Sequence, residues 1–137
     1  MKTQAGLWID HHKAFIVFVG GGKETTALVE SGLGRHRHFS GHFLAQSGAA
    51  DDQIDQEFKV HLNEYYDRVI AQIGDASAIL ILGPGEAKVE LETRLKHKKL
   101  DKRIVGVETA DKMTDPQMVA KVGEHFRQSY VPRRSNT

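Results

Sequence analysis

A stretch rich in histidine and arginine, at about residues 31–50, holds the side chains to which chemistry is most readily assigned. Within it, Arg35 and Arg37 alternate with His36 and His38. Guanidinium groups bind phosphate through a forked set of donors, and imidazole rings stack on unpaired bases. About twenty residues without helical or strand periodicity inside one domain form an unusually long loop, and such loops often carry function. The stretch therefore predicts an RNA contact through these four residues, and the alternative is a mobile, solvated loop.

The same loop allows a metal-site interpretation. Three imidazoles, at His36, His38 and His42, can hold a zinc ion and leave one position open, with His11 and His12 as further candidates. A catalytic zinc site also needs carboxylates behind its ligands and rigid support. The histidine spacing matches no standard zinc signature. A metal-dependent or ester hydrolase therefore stays an alternative, and no cofactor is predicted.

A second basic group follows later in the chain. The net charge is only +1, yet residues 94–103 hold six cations against Asp101, and residues 51–67 are mainly acidic. The cations are Arg94, Lys96, Lys98, Lys99, Lys102 and Arg103. Such a patch predicts an anionic partner, here RNA. The alternative is a solvated helix end, where basic residues complement the helix dipole.

Asp10 invites comparison with two-metal nucleases, which need a full set of carboxylates. Glu57 and Glu64 fall on a predicted helix, but the fourth strand ends in Leu82-Gly83 and supplies no carboxylate. We therefore predict that Asp10 is a turn residue that binds its own backbone. Gly83-Pro84-Gly85 precedes a helix but is neither a Walker loop nor a dinucleotide fingerprint, so it is predicted to be a structural turn.

Apolar runs predict the strands that must position these side chains. Continuous or weakly alternating runs indicate strands at residues 6–10, 14–19, 25–30, 78–82 and 104–107. The polar residues 10–13 and the glycines at 20–22 predict two tight turns between the first three strands. Trp8 and the phenylalanines of the second strand are predicted to belong to the core.

Helical periodicity follows the loop. One apolar stripe predicts a long helix from about Asp51 to Gly74, and its members are Ile54, Phe58, Leu62, Tyr65, Val69 and Ile73. A second helix is predicted over about 86–98, with Leu91 and Leu95 on one face. The third begins at Thr114-Asp115-Pro116-Gln117, with Asp115 as the cap, Pro116 at the first helical position and a Thr114–Gln117 capping box. The tail at about 130–137 is predicted to fray.

These elements predict a single α/β domain over residues 1–137. The order β-β-β-α-β-α-β-α gives a mixed five-stranded sheet, 3-2-1-4-5, with helices on both faces. The sequence has no cysteine, no apolar run long enough to cross a bilayer and no secretion signal at Met1. We therefore expect a cytoplasmic protein with no membrane partner, whereas the oligomeric state is not predictable.

This order is shared by ribonuclease-H-like folds, and the sequence resembles one further group. The run from Ile79 to Leu91, an apolar strand followed by a small-residue turn and a helix with a Lys and a Glu-Leu pair, is similar to the central domain of eukaryotic and archaeal class-1 peptide release factors and Pelota-type rescue factors. The long amphipathic helix before it and the stretch from Ile104 to Ala110 fit the same pattern. The resemblance covers about residues 5–128.

The loop departs from that pattern. Release factors carry a Gly-Gly-Gln tripeptide there, which positions water on the peptidyl-tRNA ester, whereas residues 31–42 have no such tripeptide. No catalytic residue can be carried over. The resemblance implies a bacterial stand-alone homologue associated with translation, which binds ribosomal RNA or tRNA without release-factor catalysis. A structural or oligomerisation domain remains a further alternative.

Overall fold

The computed structural model describes residues 3–32 and 51–135. Its five strands form one mixed sheet in the order β3-β2-β1-β4-β5, so the predicted fold class and strand order are confirmed. The strands are β1 (Gln4–Ile9), β2 (Lys13–Gly20), β3 (Lys23–Glu30), β4 (Ala78–Gly83) and β5 (Ile104–Thr109). Strands β1, β4 and β5 run parallel to one another. We call the end of the sheet where these three strands finish its carboxyl edge, and the other end its amino edge.

Tight turns set the register of the first three strands. The Asp10 carboxylate accepts hydrogen bonds from the amides of His12 and Lys13, both at 2.8 Å, which confirms its prediction as a turn residue. Between β2 and β3, Gly21 and Gly22 take φ values of 60° and 77°. A two-residue hairpin turn with positive φ at both positions matches the twist of the strands, and glycine adopts it without strain.

Three helices cover the sheet. They are α1 (Asp51–Ile73), α2 (Ala87–His97) and α3 (Asp115–Ser135), and a short 3-10 turn at Asp101–Arg103 leads into β5. Helices α1 and α2 pack on one face of the sheet and α3 packs on the other, as expected for helices on both faces. No helix within residues 3–32 and 51–135 has the length and apolarity that a membrane span requires.

The larger core lies between the sheet and helices α1 and α2. The predicted stripe is buried at Leu62, Tyr65, Val69 and Ile73, and the paired residues Leu91 and Leu95 of α2 are fully buried. Phe58 departs from the prediction, since 38% of its surface is exposed. The smaller core, on the α3 face, is built from Trp8, Val17, Leu80, Leu82, Met118, Val122 and Phe126.

The start of α3 differs in one detail from the sequence prediction. Thr114 precedes the first helical residue, so it is the N-cap, while Asp115 and Pro116 occupy the first two helical positions. The predicted capping box is confirmed: the Thr114 amide donates to Gln117 Oε1 at 2.9 Å, and the Gln117 amide donates to Thr114 Oγ1 at 3.3 Å. The Thr114 hydroxyl, and not the predicted Asp115 carboxylate, therefore accepts the capping hydrogen bond. The frayed tail stays a prediction.

Candidate functional site

Residues 33–50, which hold most of the arginine- and histidine-rich stretch, lie outside the described residues. The predicted contacts of Arg35, His36, Arg37 and His38, and the weaker metal candidates His36, His38 and His42, therefore stay predictions. The structure does describe the chain just before this stretch. The Ser31 amide donates to the carbonyl of His12 at 2.9 Å, and the Ser31 hydroxyl donates to the carbonyl of His11 at 2.7 Å. The stretch thus begins at the carboxyl edge, beside the β1–β2 turn.

The second basic group lies at the amino edge, where α2 ends and β5 begins. Helix α2 closes with a Schellman motif: the Lys99 amide donates to the Lys96 carbonyl at 3.0 Å, and the Leu100 amide donates to the Leu95 carbonyl at 2.9 Å. Lys99 takes the left-handed position of this motif, with φ 63°. Glycine is the usual residue there because a side chain is strained at positive φ.

Arg94 joins the two helices of the larger core. Its Nε and Nη2 atoms donate to the two carboxylate oxygens of Asp67 on α1 at 2.8 and 2.9 Å. The Nζ atom of Lys98 lies 3.6 Å from the same carboxylate. The hydrogen bond from Arg94 is the main cause that lowers the pKa of Asp67, and the same bond raises the pKa of Arg94. Arg94 therefore has a structural partner that the sequence did not reveal.

Arg103 is also bound within the domain. Its Nη1 atom donates to the carbonyls of Gly74 and Ala76, at the end of α1 and just before β4. These carbonyls lie beyond the last helical residue, where backbone acceptors need partners from elsewhere. Arg103 thereby ties the start of β5 to the α1–β4 connection.

Four lysines of the group are exposed, and Lys98 differs from the other three in lying close to Asp67. Within residues 3–32 and 51–135, the ammonium groups of Lys96, Lys99 and Lys102 form no ion pair. We call these three residues the lysine cluster. Their charges are available to an anionic partner, whereas two donors of Arg94 and one of Arg103 are engaged inside the domain.

A pH test follows from the Asp67–Arg94 pair. Because the folded state lowers the pKa of Asp67 below its ordinary value of 3.8, the stabilisation is present above that value and is lost as the pH falls through the folded pKa. The pair is partly exposed, so we expect Asp67→Asn to cost at most about 1 kcal/mol at pH 7. The difference from the wild type should shrink at pH 3 in urea unfolding.

The control for this test is Asp75→Asn, because Asp75 is exposed and has no ion pair in the described part of the chain. The difference in free energy of unfolding between Asp75→Asn and the wild type should not shrink towards pH 3 as it does for Asp67→Asn. Parallel stability curves for the wild type and Asp67→Asn between pH 7 and pH 3 would contradict the assignment.

A polar cluster that the sequence analysis missed lies between the β1–β2 turn and the two helices. Glu90 Oε1 accepts a hydrogen bond from the Tyr66 hydroxyl at 2.6 Å and lies 3.0 Å from His11 Nε2. Burial, followed by the hydrogen bond to Glu90, raises the pKa of Tyr66. Phe58 meets the His11 ring edge-on, with 6.1 Å between centroids. The only sequence signal was a helix-opening Glu-Leu pair at Glu90, which gave no partner.

The described residues bring together no group of three or more His, Asp or Glu side chains that could hold a metal ion. Asp10 serves the turn, and β4 ends in Gly83 without a carboxylate. The geometry of these residues thus offers an exposed cationic surface and a hydrogen-bonded His-Glu-Tyr cluster.

No protein-family model and no curated protein matches the chain. Among solved structures, the chain is similar to the Pelota protein of Thermoplasma acidophilum, with a TM-score of 0.55 and 19% identity over 88% of this chain and 31% of that one. Two others are archaeal translation termination factor aRF1, with a TM-score of 0.47 and 14% identity over 98% and 41%, and Archaeoglobus fulgidus Pelota, with 0.46 and 13% over 97% and 38%. The chain spans about a third of the Thermoplasma protein's length. It shares the fold of part of a Pelota protein.

Proposed function

We propose that this chain is a translation-associated domain that binds ribosomal RNA or tRNA and lacks release-factor catalysis. The observation that carries the proposal is the exposed lysine cluster on a fold shared with a Pelota protein. Pelota-type factors act in ribosome rescue, and the sequence resemblance to their central domain pointed to the same group. The absence of a Gly-Gly-Gln tripeptide from the sequence supports a binding role rather than ester hydrolysis.

The backbone at Lys99 adds a physical argument for this role. A non-glycine residue in the left-handed region costs about 1–2 kcal/mol, and Lys99 has φ 63° at a position where glycine is usual. Strained residues persist where the surrounding structure holds them, and they often lie at functional sites. A lysine kept here at the expense of stability supports a use for its charge.

The chemistry of the cluster favours contact with phosphates over contact with bases. Ammonium groups act as compact point charges and carry no stacking surface. Lys96, Lys99 and Lys102 are accompanied by a single exposed ring, His97. Phosphate contacts position a protein on RNA without reading its sequence, and their affinity falls as salt rises. We therefore propose a salt-dependent, sequence-tolerant contact with the RNA backbone.

The positions of the two basic regions refine this proposal. The described anchor of the loop lies at the carboxyl edge, at Ser31, whereas the lysine cluster lies at the amino edge, beside the end of α2. These two starting points lie at opposite edges of the sheet, so we propose two separate contacts and not one continuous surface. The lysine cluster is expected to bind RNA by itself, and Arg35 and Arg37 would form a separate contact.

Two matched double variants test the proposal. Lys96→Gln/Lys102→Gln should weaken binding to a fluorescent RNA duplex and to purified ribosomes at moderate salt, because two phosphate contacts are removed. The slope of log affinity against log salt should fall by about two. Anisotropy measures the first affinity, and co-sedimentation measures the second.

The control is Lys23→Gln/Lys112→Gln, which removes the same charge from exposed lysines outside the cluster. It should change the affinity little. Equal losses from both double variants would show only a general charge effect and contradict a localised site. Failure of the wild type to sediment with ribosomes or bind the duplex would overturn the proposed function.

Lys99→Gly separates function from folding. Removing the strain while adding unfolded-state freedom should raise the free energy of unfolding by about 0.5–1 kcal/mol. The same change removes one positive charge from the cluster, so RNA affinity should fall several-fold. Thermal unfolding and anisotropy on the same samples measure both effects. A stabilised variant with unchanged affinity would show that Lys99 takes no part in binding.

A further inference from the structure

A groove between α1 and α2 remains outside the proposed RNA surface. Its volume is about 240 Å³, and it is lined by Lys59, Leu62, Asn63, Tyr66, Glu90 and Thr93. Pockets that hold small ligands usually enclose about 300–1,000 Å³, so this groove is better sized for one or two side chains of a larger molecule.

Two exposed valines neighbour lining residues on the two helices, although neither valine lines the groove itself. Val60 precedes Asn63 by one turn of α1, and Val89 precedes Thr93 by one turn of α2, where Thr93 Oγ1 donates to the Val89 carbonyl at 3.1 Å. Residues three or four apart share one helix face. Val60 is 54% exposed and Val89 is 50% exposed. Each helix therefore offers an apolar side chain beside the groove to a partner that lies across it.

The carboxylate of Glu90 is held in place within the groove. Its Oε1 atom meets the Tyr66 hydroxyl at 2.6 Å and His11 Nε2 at 3.0 Å. Its Oε2 atom has no hydrogen-bond partner in the described ranges of the chain. Because two neighbours already order the Glu90 side chain, binding of a cation at Oε2 costs little further side-chain entropy.

Apart from Lys59, which itself lines the groove, the surrounding helix surface is mainly acidic, like Glu90. Residues 56–66 of α1 and residues 86–93 around the start of α2 contain two lysines, Lys59 and Lys88, and no arginine. Their carboxylates are Glu57, Glu64, Glu86, Glu90 and Glu92. This surface attracts a cationic partner and repels a polyanion such as RNA.

We propose that the α1–α2 groove binds a basic amphipathic segment of a partner protein. A lysine or arginine of that segment reaches Glu90 Oε2, and apolar side chains one helical turn away pack on Val60 and Val89. Grooves bind amphipathic helices through apolar anchors three, four or seven residues apart, and the charge on Glu90 adds a preference for a basic segment. The site is independent of the lysine cluster, so it stands or falls separately from RNA binding.

A fluorescent synthetic helix with leucines and lysines on one face is the probe for this site. It should bind the full-length protein saturably and shift the amide resonances of Asn63 and Thr93. Val89→Lys should weaken the peptide by roughly tenfold, about 1.4 kcal/mol. Glu90→Gln, which keeps the shape of the side chain, should also weaken it. The same peptide with glutamates in place of lysines should not bind.

Val105→Lys is the matched control. Val105 is 52% exposed on β5, so its replacement introduces the same charge away from the groove. Equal weakening by Val89→Lys and Val105→Lys would overturn the proposal. Resonance shifts confined to other surfaces, absence of saturable binding, or competition by the RNA duplex for the peptide would overturn it as well. Val89 is exposed, so the fold is expected to tolerate its replacement.

Discussion

Gly83→Ala should destabilise the domain by about 3 kcal/mol, since a single added methyl group has no room at the end of β4. A Cβ atom there would overlap the backbone carbonyl oxygen of Ile9. Ile9 is the last residue of β1, and the residue before it, Trp8, is paired with Leu82 of β4 in the parallel ladder. The sheet must therefore separate locally to admit the methyl group. Urea unfolding followed by circular dichroism measures the loss.

Gly85→Ala is the control within the same turn. A Cβ atom at Gly85 meets nothing within 4 Å, and Gly85 is absent from the positive-φ positions of the described chain. This change should be neutral or slightly stabilising, because alanine reduces the freedom of the unfolded chain. Similar stability changes for the two variants would contradict the close approach of Gly83 to β1.

Trp8→Ala should cost about 4 kcal/mol, the second large effect. Trp8 is 4% exposed and belongs to the smaller core. Its Nε1–H group also lies 3.3 Å from the Ala110 carbonyl and 3.1 Å from the Asp111 carbonyl. The ring therefore fills space under α3 and fixes the connection that leads into it.

Trp8→Phe separates these two contributions. Phenylalanine keeps most of the apolar volume but has no indole donor, so we expect a loss of about 1–2 kcal/mol. Chemical unfolding monitored by circular dichroism compares the variants, since Trp8 is the only tryptophan. Equal losses for both changes would contradict the importance of ring volume in this core.

Most of the fold was predictable because burial leaves a local pattern. The run that became β4 is continuously apolar and is buried after its first residue, as expected for an internal parallel strand. The run at 104–107 also predicts a buried strand, but this prediction is wrong, because β5 is the outermost strand and its Val105 is 52% exposed. The spacing of Leu62, Tyr65, Val69 and Ile73 indicated one buried helix face, and all four are buried. Phe58 kept the same spacing but remains partly exposed. The helix of 23 residues is longer than the six-residue strands β1 and β4 beneath it, so not every turn can lie over the sheet.

The candidate sites were less predictable because charge patterns reveal sign but not partners. Arg94 pairs with Asp67 and Arg103 with Gly74, at separations of 27 and 29 residues along the chain. The contact of His11 with Glu90 spans 79 residues. No periodicity connects such residues, since they meet only when the sheet order is formed. The left-handed backbone at Lys99 was equally hidden, because a lysine gives no local signal for positive φ.

The strand order has a further consequence for behaviour at high concentration. In the described sheet, β3 and β5 are the outermost strands. The β4–β5 pairing contains a register shift, which disfavours addition of another strand beside β5. Strand β3 pairs regularly over all eight residues, and its Leu28 is 55% exposed. Intermolecular aggregation should therefore begin at β3, with the charged residues Lys23, Glu24 and Glu30 acting as gatekeepers around Leu28.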